Sequence, residues 1–122
     1  MTDPQLPDHP ALQSLRAIAL ALPGVSEGVA CAGTPVEKRT LTVRGKAFLF
    51  LGLGKGSANA MVKLGPSLAD ALELARAQPT RVKVGATGWV TVTIPAGEDP
   101  PEALGGWIAE SHGLFVGRGR PA

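Results

Sequence analysis

The stretch Thr40-Leu-Thr-Val-Arg-Gly-Lys-Ala-Phe-Leu-Phe-Leu51 constrains this chain more than any other part of it. It is rich in β-branched and aromatic residues and is broken once, at Arg44-Gly45. Before the break, Leu41 and Val43 alternate with Thr40 and Thr42, the period-two pattern of a strand with one wet face. After it, Phe48 and Phe50 fall on one side of an extended chain and Leu49 and Leu51 on the other. Two such runs joined by two residues predict a hairpin, with Gly45 supplying a positive φ. A fold containing this pair must cover its apolar face.

The cover is legible on either side. Asp8-His9-Pro10 reads as a helix start, with Asp8 as cap and proline in the first turn. Leu12, Leu15, Ile18, Ala19 and Leu22 follow at helical spacing, and Pro23-Gly24 stops the helix. His9 reads as a first-turn surface residue. A glycine-punctuated segment follows, with room for a short edge strand around residues 29–31. Residues 36–43 and 46–53 are the hairpin, and Ala60-Met-Val-Lys-Leu64 predicts a third strand. Ser67 and Asp70 form a capping-box-like pair at the head of a second helix. Leu68, Ala71, Leu72 and Ala75 are its apolar stripe, and Gln78-Pro79 ends it. Residues 81–84 alternate cation and valine. Residues 89–94 place Trp89, Thr91 and Thr93 on one face and Val90, Val92 and Ile94 on the other, and the two runs pair as a second hairpin. Asp99-Pro100 opens a third helix, with Leu104, Trp107, Ile108, Ser111 and Phe115 along one face. Gly105-Gly106 weakens its middle. His112 stands near its C-terminal end, where the helix dipole favours positive charge.

The predicted order is α-β-β-β-α-β-β-α. It describes a two-layer α+β domain, an antiparallel sheet of about five strands with helices packed on one face. One domain spans residues 1–122, with 1–7 and 117–122 as flexible tails.

Composition narrows the function classes. The single cysteine, Cys31, excludes an internal disulfide and a cysteine-based zinc cage. With no cation beside it before Lys38, it reads as a small buried hydrophobe rather than a reactive thiol. The two histidines stand more than 100 positions apart, and the acids cluster only around residues 98–102, beside prolines. No nucleophile–base pair, carboxylate pair or metal set follows, so no enzyme, cofactor or metal is expected. Gly52-Leu-Gly-Lys-Gly-Ser57 is not a phosphate loop, because glycine follows the lysine and a strand follows the glycine. No apolar run approaches the roughly 20 residues of a membrane span, and no signal peptide is visible, which predicts a soluble cytoplasmic protein.

The net charge of +2 conceals an asymmetry. Residues 38–83 hold nine cations against only Asp70 and Glu73. A basic block of this kind can present one face to a polyanion, or simply solvate strand edges. Aromatics are few, with two tryptophans, three phenylalanines and no tyrosine, so the supply for a base-stacking platform is thin.

Four landmarks, in this order and spacing, carry a resemblance. They are Ala21-Leu-Pro-Gly-Val25 followed by Glu27, Val43-Arg-Gly-Lys-Ala-Phe48, Met61-Val-Lys-Leu64, and Gly88-Trp-Val-Thr-Val92 with a final helix reaching Ser111. On these the chain resembles the MmcQ/YjbR family of small bacterial proteins. The resemblance implies a CyaY-like or secretion-chaperone-like fold and a "double wing" DNA-binding motif. Carried onto this chain, the wings would present Arg44 and Lys46 in the first hairpin, Lys55 in the next loop, and Arg81 and Lys83 in the later hairpin. Lys63 would join them if the open sheet face is the contact. These side chains would meet DNA phosphates rather than base edges. The alternative is a protein- or small-ligand-binding module, or a homodimer, using an exposed sheet face as secretion chaperones do. Two departures from the family pattern stand out: Gly88 where histidine often precedes the tryptophan, and His112 where tyrosine often follows the serine.

Overall fold

The computed structural model describes residues 10–30, 38–54, 57–95 and 97–116. The elements run α1 (Pro10–Leu20), β1 (Val25–Ala30), β2 (Lys38–Val43), β3 (Lys46–Gly54), β4 (Ser57–Lys63), α2 (Leu68–Ala77), β5 (Val82–Val84), β6 (Trp89–Pro95) and α3 (Ala103–Val116). The sheet has six strands in the order β1-β2-β3-β4-β6-β5, every neighbouring pair antiparallel. The α+β class is as expected from the sequence. The sheet has one strand more than the five expected, because four strands rather than three separate α1 from α2. The expected edge strand around residues 29–31 is β1, which begins earlier, at Val25, and forms one border of the sheet. The expected cap Asp8, His9, Cys31, Lys55 and the two tails lie outside the described residues.

Alternation does most of the sorting. In β4 and β6 every second residue is buried: Ala58, Ala60 and Val62, then Val90, Val92 and Ile94. Leu41, Leu49 and Leu51 continue that buried face across β2 and β3. α1 sets Leu12, Leu15 and Ala19 on it, and α3 sets Leu104, Trp107 and Ile108. Each fully buried leucine or isoleucine contributes roughly 1.5–3 kcal/mol over an exposed one. α2 covers the β5 border with Ala71, while Leu72, expected in its stripe, is 43% exposed.

The β2–β3 turn has the geometry its sequence implies, with an added constraint. Gly45 has φ 82°, and Arg44 also lies in the left-handed region, at φ 54°. Positive φ at both central residues is the signature of the type I′ hairpin turn, whose twist matches that of the strands. Arginine is an uncommon occupant of that region, where glycine or asparagine sits at lower energy.

One expectation about β3 is corrected. Phe48 and Phe50 do not share a face. Leu41 pairs with Leu49 but Thr42 pairs with Ala47, so Phe48 is an extra residue, a β-bulge. The bulge turns Phe48 to the helix side with Leu49, and both are fully buried. Phe50 stays half-buried on the opposite face.

α3 carries two glycines in its middle, as its sequence warned. Gly105 faces Ile18 of α1, whose Cδ1 would lie 3.7 Å from an added Cβ, while at Gly106 nothing lies within 4 Å. Gly106→Ala is therefore expected to stabilise the protein by up to about 1 kcal/mol, read as a higher urea midpoint with an unchanged slope. A lower midpoint would mean that the helix needs the glycine.

Candidate nucleic-acid interface

Three consecutive residues of α3 fix the architecture around the Arg44 end of the sheet. The hydroxyl of Ser111 donates to the carbonyl of Phe48 (2.6 Å) and accepts from the N–H of Lys63 (3.0 Å). The β3–β4 ladder stops at Leu49 and Val62, so Phe48 and Lys63 are the next pair along. Ser111 is thus inserted where their direct hydrogen bond would be, and it is fully buried. Next to it, Glu110 accepts from the N–H groups of Gly65 (2.9 Å) and Ser67 (3.0 Å) and from the Ser67 hydroxyl (2.6 Å). The expected cap of α2 is corrected accordingly. Ser67 makes no side-chain cap bond, and the carboxylate at the head of α2 comes from α3. His112, which the sequence places near the C-terminal end of α3, is buried there. Its Nε2 lies 2.8 Å from the Pro23 carbonyl, which can only accept, so Nε2 carries a proton. Its ring meets Phe48 edge-on at 5.2 Å.

These ties set the direction of the strands that carry the cations. β2 ends, β3 begins, β4 ends and β6 begins at one end of the sheet. Arg44 and Lys46 are exposed there, and Lys63 is half-buried at the end of β4 opposite Trp89. Lys83 is exposed on the border strand β5, in one row with Thr91, Met61, Phe50 and Thr40. Four strand spacings separate Thr40 from Lys83, about 19 Å at 4.8 Å each.

Arg81 is placed differently. It precedes β5 at the far end and pairs with Glu98 (2.8 Å). The tip of the β5–β6 hairpin is Gly85-Ala-Thr-Gly88, with no charge at all. The structure therefore brings Arg44, Lys46 and Lys63 to one end, sets Lys83 on the same open face at the border, and leaves Arg81 apart.

Gly88 shows why one departure from the family pattern suits this chain. Its φ is 91°, and an added Cβ would stand 3.1 Å from the carbonyl oxygen of Leu64. The backbone N–H of Leu64 also donates to the Gly88 carbonyl at 3.0 Å. A histidine there would strain the turn and crowd β4.

The acids among the described residues are segregated from this face. Among the described strands only Glu27 is acidic, and its register with Leu41 turns it to the helix side. There Arg16 grips it with two bonds of 2.8 Å, and Arg39 adds a third at 3.3 Å. The bond to Glu27 holds the Arg16 guanidinium above its ordinary pKa, while burial pulls the other way. Asp70 and Glu73 lie on α2, Glu98, Asp99 and Glu102 precede α3, and Glu110 heads α2. The open face holds lysines, threonines, Asn59, and the aromatic pair Phe50 and Trp89, whose centroids are 5.7 Å apart. Phe115, near the end of α3, meets Trp89 at 6.3 Å with the rings tilted by 35°. Sequence pattern placed Trp89 correctly. It missed Phe50 as its neighbour, because the bulge at Phe48 is invisible in alternation.

Among the described residues, no cluster of three His, Cys, Asp or Glu is arranged to hold a metal. No described helix is long and apolar enough to cross a membrane.

Comparison with known proteins agrees with this architecture. The crystal structure of Deinococcus radiodurans protein DR2400, which has a DUF419 domain, superposes with a TM-score of 0.68 at 22% identity. The match covers 91% of this chain and 82% of that one, and at this identity it speaks to the fold. No curated protein matches the sequence significantly. The family model YjbR matches residues 20–114, from the end of α1 through nearly all of α3, and the chain belongs to the YjbR family.

Proposed function

We propose that this protein is a nucleic-acid-binding module rather than an enzyme, contacting DNA phosphates through the Arg44 end and the open face of its sheet. The observation that carries this reading is the segregation of charge by layer. The described strands hold one carboxylate, Glu27, turned inward and paired, while Arg44, Lys46, Lys63 and Lys83 stand at the tip or on the face opposite the buried one. Phosphate contacts of this kind release counterions, so affinity falls steeply with salt and depends little on sequence. The left-handed Arg44 supports the same reading, since a long cation occupies a turn position that a small residue would hold at lower energy.

Anisotropy titration of a labelled DNA duplex across a salt series tests this. Binding is expected at low salt and lost as salt rises. Arg44→Glu with Lys46→Glu is expected to weaken it about tenfold or more and to flatten the salt slope. No binding at low salt refutes the reading. Full affinity in the double variant removes the hairpin tip from it.

A protein-binding sheet face is the second reading. The half-buried Phe50, Met61 and Trp89, on the sheet face opposite the buried one, favour it.

A further inference from the structure

The open face differs from a surface built only for phosphates. A duplex keeps its bases stacked inside, so half-buried aromatics on a sheet face gain nothing from it. Phe50 and Trp89 nevertheless form an edge-on pair at 5.7 Å on that face, and the ring of Phe115 meets Trp89 at 6.3 Å, tilted by 35°. Lys63 stands directly opposite Trp89 in the β4–β6 register. Lys83 closes the row that runs from Phe50 through Met61 and Thr91.

We infer that this face is a platform for single-stranded nucleic acid, on which bases stack against Phe50 and Trp89 while Lys63 and Lys83 hold the flanking phosphates. The inference rests on the nucleic-acid reading and specifies the strand state. The aromatics are few, but two or three on a sheet with flanking cations suffice, because every base has a π-face and the backbone is drawn to the lysines. Charge selects this occupant over a second copy of the chain. A two-fold interface through this face would set against each other two surfaces that bear lysines and, among the described residues, no acid.

The test compares labelled oligothymidylate with a duplex of equal length at low salt, following anisotropy and tryptophan emission together. Trp107 is 4% exposed in the core, so a change on binding reports Trp89. The single strand is expected to bind about tenfold tighter than the duplex and to quench emission, since stacking favours it by about 1–3 kcal/mol per base. Lys83→Glu, exposed on the border strand, is expected to weaken single-strand binding about tenfold, with its thermal melt unchanged. Arg76→Glu, exposed on α2 in the other layer, is expected to leave affinity as it is. Equal or tighter duplex binding, or emission unchanged at saturation, overturns the stacking platform and leaves the phosphate reading standing. Absence of binding by either nucleic acid overturns both.

Discussion

Replacing Ser111 by alanine is expected to destabilise the protein by about 2–4 kcal/mol, although only one oxygen is removed. That oxygen holds two backbone groups at once, the Phe48 carbonyl at 2.6 Å and the Lys63 N–H at 3.0 Å. Both belong to strands that have already parted, because the β3–β4 ladder ends one pair earlier. Alanine fills nearly the same space but leaves a carbonyl and an N–H facing each other without a bridge. A buried polar group left unpaired costs about 1–3 kcal/mol, and there are two here. Against a total stability of about 5–15 kcal/mol, that loss lowers the melting temperature by several degrees or more. Urea melts measure the global effect, and hydrogen exchange at the Lys63 amide measures the local one. A change below about 0.5 kcal/mol with full protection at Lys63 would mean that the two strands close and bond directly when the hydroxyl is absent.

Ser111 also marks the boundary of what the sequence reveals. Its place on the buried stripe of α3 follows from its spacing to Leu104, Trp107 and Ile108, and the structure puts it there. Its partners lie 48 and 63 positions away, and no local pattern carries that distance. The same division runs through the chain. The Arg44-Gly45 turn, the alternation in β6 and the apolar stripe of α1 are local, so they are legible. The bulge at Phe48 is set by pairing with β2 and by what α3 offers to its free carbonyl, so period-two counting puts Phe48 on the wrong face. His112 looks like a helix-end cation until the exit of α1 is brought over it and the Pro23 carbonyl meets its ring.

The candidate site divides in the same way. Cations could be counted along the chain, but their usefulness depends on which face each reaches. Arg39, near the start of the basic block, is turned inward to Glu27, and Arg81 is paired with Glu98. A face without acids among the described residues emerges only when six strands are set side by side, because Glu27 must be seen to point away from it.

Glu110 provides the second large effect, and it depends on pH. Burial pushes its carboxyl up, but the hydrogen bonds from the Ser67 hydroxyl and from the Ser67 and Gly65 amides outweigh burial and hold its pKa below the ordinary value. The folded protein therefore prefers the carboxylate, and the unfolded chain takes up protons first as pH falls. The stability that Glu110 contributes is complete above its unfolded pKa, about 4.5, and is lost as pH drops through the lower folded value. At neutral pH, Glu110→Ala removes three bonds at the head of α2 and a negative charge from the helix N-terminus, a loss of about 2 kcal/mol on the scale of a deleted N-cap. Glu110→Gln keeps one acceptor and cannot titrate, so its deficit at pH 7 should be smaller and should shrink as the solution is taken down to pH 3. Urea melts of the wild type and both variants across that range read the convergence directly. A deficit that stays constant from pH 7 to pH 3 would show that the ionisation of Glu110 adds nothing to the hold on the head of α2.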